Sequence, residues 1–221
     1  MKIRNVEFVR SVADPDGDIP ADLPQVAFSG RSNVGKSSLI NRLLRRHRAK
    51  IAHVSTRPGK TRTLNFFRVN DRFYLVDLPG YGYAEVPAAM RESWRRLIEG
   101  YMEGSRGPRG VVHLVDARHD PTRLDEQMVE YLAGMGIPTL VVLTKIDKLK
   151  RSERANVVES AAETLAVDPD QVLPFSSETG EGRDALLGAL EVLLEAEPPA
   201  GTKPAVSNLR PDDLASGRDL R

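Results

Sequence analysis

The 221-residue chain predicts an α/β fold in which a mainly parallel central sheet carries helices on both faces. Two observations carry this. Short apolar runs rich in β-branched residues alternate with segments of helical period, the pattern of parallel strands joined by crossover helices. The second of those runs passes straight into GRSNVGKS and then into the helical pattern SLINRLL, so a glycine-rich turn joins a strand to a helix N-terminus.

The strands are expected at 6–9, then at 25–29 (QVAFS), 63–69, 73–77 (FYLVD), 110–116, 139–144 (TLVVLT) and 171–175 (QVLPF). Helices are expected at 36–44, 88–103, 123–134, 151–166 and 183–195. In the second of these, Trp94, Leu97, Ile98 and Tyr101 fall at helical spacing and form a buried stripe. Residues 14–24 are rich in Asp, Pro and Gly and read as a loop. From 198 onward aromatic residues vanish while Pro, Asp and Gly accumulate, the composition of a disordered tail. The organisation is therefore an N-terminal strand and loop at 1–24, one nucleotide-sized domain at 25–196, and a tail at 197–221.

Composition excludes several classes. The chain has no cysteine, so it has neither disulfides nor a thiolate zinc site. Its start, MKIRNVEFVR, carries charges where a signal peptide needs an apolar core, and no run reaches the ~20 apolar residues of a membrane span. A cytoplasmic protein is expected. The net charge of +1 hides two unlike regions. Residues 31–72 hold twelve Lys or Arg against one acid, Asp71, while the rest holds 20 basic and 30 acidic residues. Such a basic block suits a phosphate-backbone partner.

Gly30, Arg31, Ser32, Asn33, Val34, Gly35, Lys36 and Ser37 match G-x-x-x-x-G-K-[ST], with Ser38 following. The glycines let the loop curl with its N–H groups inward, and the helix presents its positive end. Lys36 is expected on the β- and γ-phosphates and Ser37 on Mg²⁺. This identifies a P-loop NTPase of the small-GTPase-like kind. At the end of FYLVD, Asp77, Leu78, Pro79 and Gly80 form D-x-x-G, where the acid holds Mg²⁺ through water and the glycine N–H meets the γ-phosphate.

TLVVLTKID ends in Thr144, Lys145, Ile146 and Asp147. A carboxylate at Asp147 accepts the N1–H and 2-amino protons of guanine; adenine offers neither, which separates a GTP-binding protein from an ATP-using one. Lys145 is placed along the base. Phe175, Ser176 and Ser177 end the last strand and back the guanine. His53, His113 and His119 form no ligand pattern and read as core or surface.

The strings AFSGRSNVGKSSLIN, STRPGKTRTLNFF, LVDLPGYGYA, HLVDARHDPT and VVLTKIDKL make the chain resemble the EngB (YihA/YsxC) family of bacterial GTPases over roughly 6–194. That family belongs to the same class as the Era and TrmE-like translation GTPases. The resemblance places the switch segment at Gly59, Lys60, Thr61, Arg62 and Thr63, with Thr61 closing on Mg²⁺. From the residues alone, Thr56, Thr61 and Thr63 are equal candidates. The family string is usually TPGKTQ or TPGRTQ, so Arg57, Arg62 and Thr63 depart from it. Asn33 stands where cation-dependent relatives hold K⁺; a left-handed turn is the alternative reason for an asparagine there.

Residue 81 is Tyr, where Ras-like proteins carry a water-orienting glutamine, so slow intrinsic hydrolysis is expected. The resemblance also implies a role in assembly of the large ribosomal subunit and an association with normal cell division and septation. The partner would be that subunit or its precursor, met through rRNA by the basic face at 31–72. A GTP-regulated binding module for a septation protein, without ribosome contact, is the alternative.

Overall fold

The computed structural model describes residues 1–14, 17–45, 63–82, 88–104 and 107–195. Within these, seven strands form one mixed, mostly parallel sheet: β1 (Val6–Val12), β2 (Gln25–Gly30), β3 (Leu64–Val69), β4 (Phe73–Asp77), β5 (Gly110–Asp116), β6 (Thr139–Thr144) and β7 (Val172–Pro174). Five helices flank it: α1 (Lys36–Leu43), α2 (Ala88–Glu103), α3 (Arg123–Gly134), α4 (Arg154–Thr164) and α5 (Arg183–Glu195). The strand order is β1-β3-β4-β2-β5-β6-β7. Strands β4, β2, β5, β6 and β7 run parallel, and β3 and β1 add antiparallel to one edge.

Strand periodicity sorts the side chains onto two faces. On β2, Val26 and Phe28 pack with Leu39, Ile40, Leu43, Leu186 and Leu190 of α1 and α5. Ala27, between them, faces Leu97, Tyr101, Met128 and Leu132 of α2 and α3. A third cluster seats Ala161 and Ala162 of α4 on Val141 and Leu143. Leu39, Ile40, Phe28 and Leu132 are wholly buried, each contributing about 1.5–3 kcal/mol of apolar transfer. In the expected α2 stripe, Leu97, Ile98 and Tyr101 are buried; the Trp94 side chain lies outside the described atoms.

Several element boundaries differ from expectation, those of β1 and α4 most. Strand β1 continues past residue 9 to Val12, which pairs with Leu64. Helix α4 is shorter than 151–166: residues 150–153 close a turn through Glu153 N–H to Lys150 C=O, and Ala166 adopts a left-handed φ of 51° that no helix continues through. Strand β7 starts at 172 because Asp168 caps a 3-10 turn over Pro169–Gln171 by accepting from the Asp170 N–H. The expected tail at 197–221 lies outside the described residues.

Register brings the functional ends together. Phe28 of β2 lies beside Asp77 of β4, and Asp116 of β5 beside Thr144 of β6. The loops after β2, β4, β6 and β7 thus open on one edge of the sheet, where open α/β sheets bind ligands. No helix among the described residues is long and apolar enough to cross a membrane.

Candidate functional site

The loop from Gly30 to Gly35 turns β2 into α1. Gly35 caps the helix with φ 104°, a conformation that side-chain-bearing residues rarely adopt, and so leaves the first-turn N–H groups facing the loop. Asn33, exposed, has φ 65°. Lys36 is buried and its ammonium is paired with the Asp77 carboxylate, itself only 5% exposed. A cation from the P-loop and an anion from the end of β4 are thereby held side by side. Ser37 and Ser38 follow in the first turn of α1, half-buried.

The D-x-x-G segment rests directly on the P-loop. Leu78 N–H donates to Phe28 C=O at 3.0 Å, Ser32 N–H to Tyr81 C=O at 2.9 Å, and the Ser32 hydroxyl to Gly80 C=O at 3.3 Å. A Cβ on Gly80 would stand 3.2 Å from Ser32 Cα and N, so this approach admits glycine. Tyr81 turns away from this surface: it is 3% exposed and its hydroxyl reaches into the core. Burial pushes its phenol well above the usual range, and the neighbouring Asp125 carboxylate adds to the effect.

The base end is built from β6 and β7. The Thr144 hydroxyl donates to Val34 C=O at 2.6 Å, tying the end of β6 to the P-loop. Lys145, at φ 61°, sends its ammonium to Asn33 C=O at 2.8 Å and to Asp116 Oδ2 at 2.7 Å. Asp147 accepts from the Ser176 hydroxyl at 2.7 Å and meets Lys148 Nζ at 3.3 Å, and the Ser176 bond foremost holds its carboxyl below the usual range. Asp147 is partly rather than fully buried, its side chain 14% exposed. Ser176 Oγ in turn accepts the N–H groups of Glu178 and Thr179, so one hydroxyl shapes the loop and aims the acid. Phe175 is wholly buried, and its carbonyl accepts the Ile146 N–H at 3.3 Å, linking the two base-site loops. Ser177 is half-buried in that loop. Arg183, opening α5, donates from Nη2 to Leu43 C=O at 2.8 Å and so closes the C-terminal end of α1 against the same loop.

Sequence reasoning missed Asp116. Burial alone would raise its carboxyl, but the hydrogen bonds of Arg118 and Lys145 outweigh that and bring it to about 2. The available signal was an apolar strand, GVVHLVD, ending in an acid beside the strand that ends in TKID. Of the switch residues, Gly59, Lys60, Thr61 and Arg62 lie outside the described residues, as does the candidate Thr56. Thr63 is described, and its hydroxyl bonds to Asn65 Oδ1 at 3.1 Å. His113 is wholly buried and His119 exposed, while His53 lies outside the described residues.

The described residues contain no cluster of three or more His, Asp or Glu able to cage a metal. Ser37 and Asp77 supply two oxygen donors, so a hard cation here would complete its shell with phosphate and water, as Mg²⁺ characteristically does.

Comparison with known proteins agrees with this geometry. The model of a family described as 50S ribosome-binding GTPase matches residues 25–145, and that of the elongation factor Tu GTP binding domain matches 98–196. A probable GTP-binding protein EngB of Gemmatimonas aurantiaca is 52% identical over 195 residues, covering 88% of this chain and 95% of its own. Another, from Halothermothrix orenii, is 50% identical over 185 residues, covering 83% and 92%. The crystal structure of a probable GTP-binding protein engB superposes with a TM-score of 0.63 at 26% identity, covering 77% of this chain and 98% of that one.

Proposed function

The chain belongs to the EngB family of GTP-binding P-loop GTPases, which hydrolyse GTP, and from that premise we propose that it is a slow, Mg²⁺-dependent nucleotide switch in large-ribosomal-subunit assembly. Its working place is the cytoplasm, and its failure is felt in cell division and septation. The observation that carries the switch is Gly80 seated against Ser32: a γ-phosphate on the P-loop meets the D-x-x-G backbone without an intervening side chain. The Tyr81 hydroxyl points into the core, away from any attacking water, which accords with slow turnover.

Mg²⁺ would be held by Ser37, by Asp77 through water, and by Thr61 of the switch segment; there it neutralises charge on the β- and γ-phosphates. Asp147 reads guanine. The left-handed φ of Asn33 gives that residue a conformational reason to be asparagine, and equal GTPase rates in potassium and sodium would leave it at that.

The partner reading rests on the twelve basic residues at 31–72 and on the relatives whose family is described as ribosome-binding. Sedimentation with large subunits and their precursors, with GDP or a non-hydrolysable GTP analogue across a salt series, tests it. Binding that depends on nucleotide and weakens with salt is expected. Binding blind to both would remove the ribosomal reading and leave a septation-protein module to be sought.

A further inference from the structure

One buried chain of hydrogen bonds serves none of the nucleotide contacts described above. It starts at Ser29, the residue before Gly30, whose Oγ lies 2.9 Å from His113 Nδ1. His113 Nε2 lies 3.2 Å from Tyr81 Oη, and Tyr81 Oη donates to Asp125 Oδ1 at 2.8 Å. Asp125 Oδ2 accepts both the N–H and the hydroxyl of Thr122, at 2.9 and 2.7 Å. All four principal members are buried: Ser29 2%, His113 0%, Tyr81 3% and Asp125 3% exposed. One tautomer satisfies every member: Ser29 O–H to Nδ1, Nε2–H to the phenol oxygen, phenol O–H to the carboxylate. A polar chain in a core is stable only when complete, and this one is.

Two of its members flank the phosphate site. Ser29 precedes the P-loop. Tyr81 follows Gly80, and while its side chain is held by Asp125 and His113, its carbonyl accepts the N–H of Ser32 in the P-loop. The Gly80 carbonyl accepts the Ser32 hydroxyl at 3.3 Å as well, so the backbone at Tyr81 is held by its own side chain on one side and by Ser32 on the other. Its far end caps α3 at Thr122, so the network joins the start of that helix to residues on either side of the P-loop contact.

We propose that Tyr81 is a positioning residue for GTP hydrolysis. Through Asp125 and His113 it holds the Gly80 and Tyr81 carbonyls on Ser32, and this sets where the Gly80 N–H stands relative to a γ-phosphate. GDP, lacking that phosphate, does not report on the clamp. The inference rests on the nucleotide reading given above.

The test uses full-length Tyr81→Phe, Asp125→Asn and the double variant. The readouts are affinity for GDP, affinity for a non-hydrolysable GTP analogue, single-turnover GTP hydrolysis and thermal midpoint. Loss of the phenol hydroxyl is expected to lower analogue affinity and hydrolysis about five- to tenfold while GDP affinity stays within about twofold. The double variant should be no worse than the more affected single one, because both cut the same chain. Should Tyr81→Phe fold poorly, His113→Gln, which retains an N–H near Nε2, is expected to preserve the GTP-analogue preference that His113→Leu loses. Equal weakening of both nucleotides, unchanged hydrolysis, or identical behaviour of His113→Gln and His113→Leu would overturn the clamp. Wild-type protein without preference for GTP over ATP would instead overturn the nucleotide reading itself.

Discussion

The Ser176 hydroxyl donates to Asp147 Oδ1 at 2.7 Å, so the acid proposed to read guanine is aimed by a side chain from the neighbouring strand's loop. A carboxylate left to itself would sample several rotamers; this one has one oxygen engaged and the other facing Lys148. Asp147→Asn is expected to reduce GTP affinity on the order of a hundredfold, since two hydrogen bonds to a charged acceptor are replaced by a mismatched amide. Xanthosine triphosphate, whose 2-oxo group accepts from that amide, should recover part of it. Ser176→Ala should cost about fivefold. Titration with a fluorescent nucleotide checks both, and unchanged GTP selectivity in Asp147→Asn would refute the base-site assignment.

Lys36 and Asp77 are 8% and 5% exposed and paired with each other. Removing the lysine strands a buried carboxylate, so Lys36→Met should destabilise the nucleotide-free protein by about 3–5 kcal/mol. Lys36→Met combined with Asp77→Leu should recover most of that, although neither variant will hold a triphosphate. Urea unfolding of the three proteins without nucleotide makes the comparison.

Asp116 has its carboxyl at about 2 in the folded chain, below the ~3.9 of an unfolded aspartate. Its folded form therefore holds the proton less tightly than its unfolded form. The stabilisation is complete above about pH 4 and is lost as pH falls towards 2, and it amounts to on the order of 2 kcal/mol because the side chain is 17% exposed. Asp116→Asn should unfold earlier than wild type at pH 6 and approach it near pH 3. A stability gap that stays constant over that interval would show that the ion pairs with Arg118 and Lys145 contribute nothing.

Gly80→Ala places a methyl 3.2 Å from Ser32 Cα and N, backbone atoms that cannot swing aside. Ser32 or the segment must give by a few tenths of an ångström, which loosens the contact. GTP-analogue affinity should fall about tenfold, with GDP little affected, by competition titration.

Motif spacing predicted the sheet, the helices and the P-loop because each is a local signal: glycine at a turn, lysine after it, apolar runs of the right period. Asp77, Lys145 and Asp147 stood at strand ends and were legible for the same reason. What the sequence hid is contact between distant residues. Asp116 and Lys145 are neighbours only because β5 and β6 pair in register, with Asp116 opposite Thr144. His113, read as core or surface, is core, yet nothing local tells that its ring bridges Ser29 and Tyr81. The edges of β7 and α4 were misjudged where a capping aspartate and a left-handed alanine, rather than hydrophobic period, decide where an element stops.

The guanidinium of Arg183 donates to the last carbonyls of α1, those of Arg42 and Leu43, and the Arg42 guanidinium lies against Gly180. The loop that carries Ser176 and the point where the chain leaves α1 towards its most basic stretch are therefore bolted to one fulcrum. A ligand engaging the Ser176 loop would therefore load the same joint that holds the end of α1, and so would a force on the chain leaving that helix.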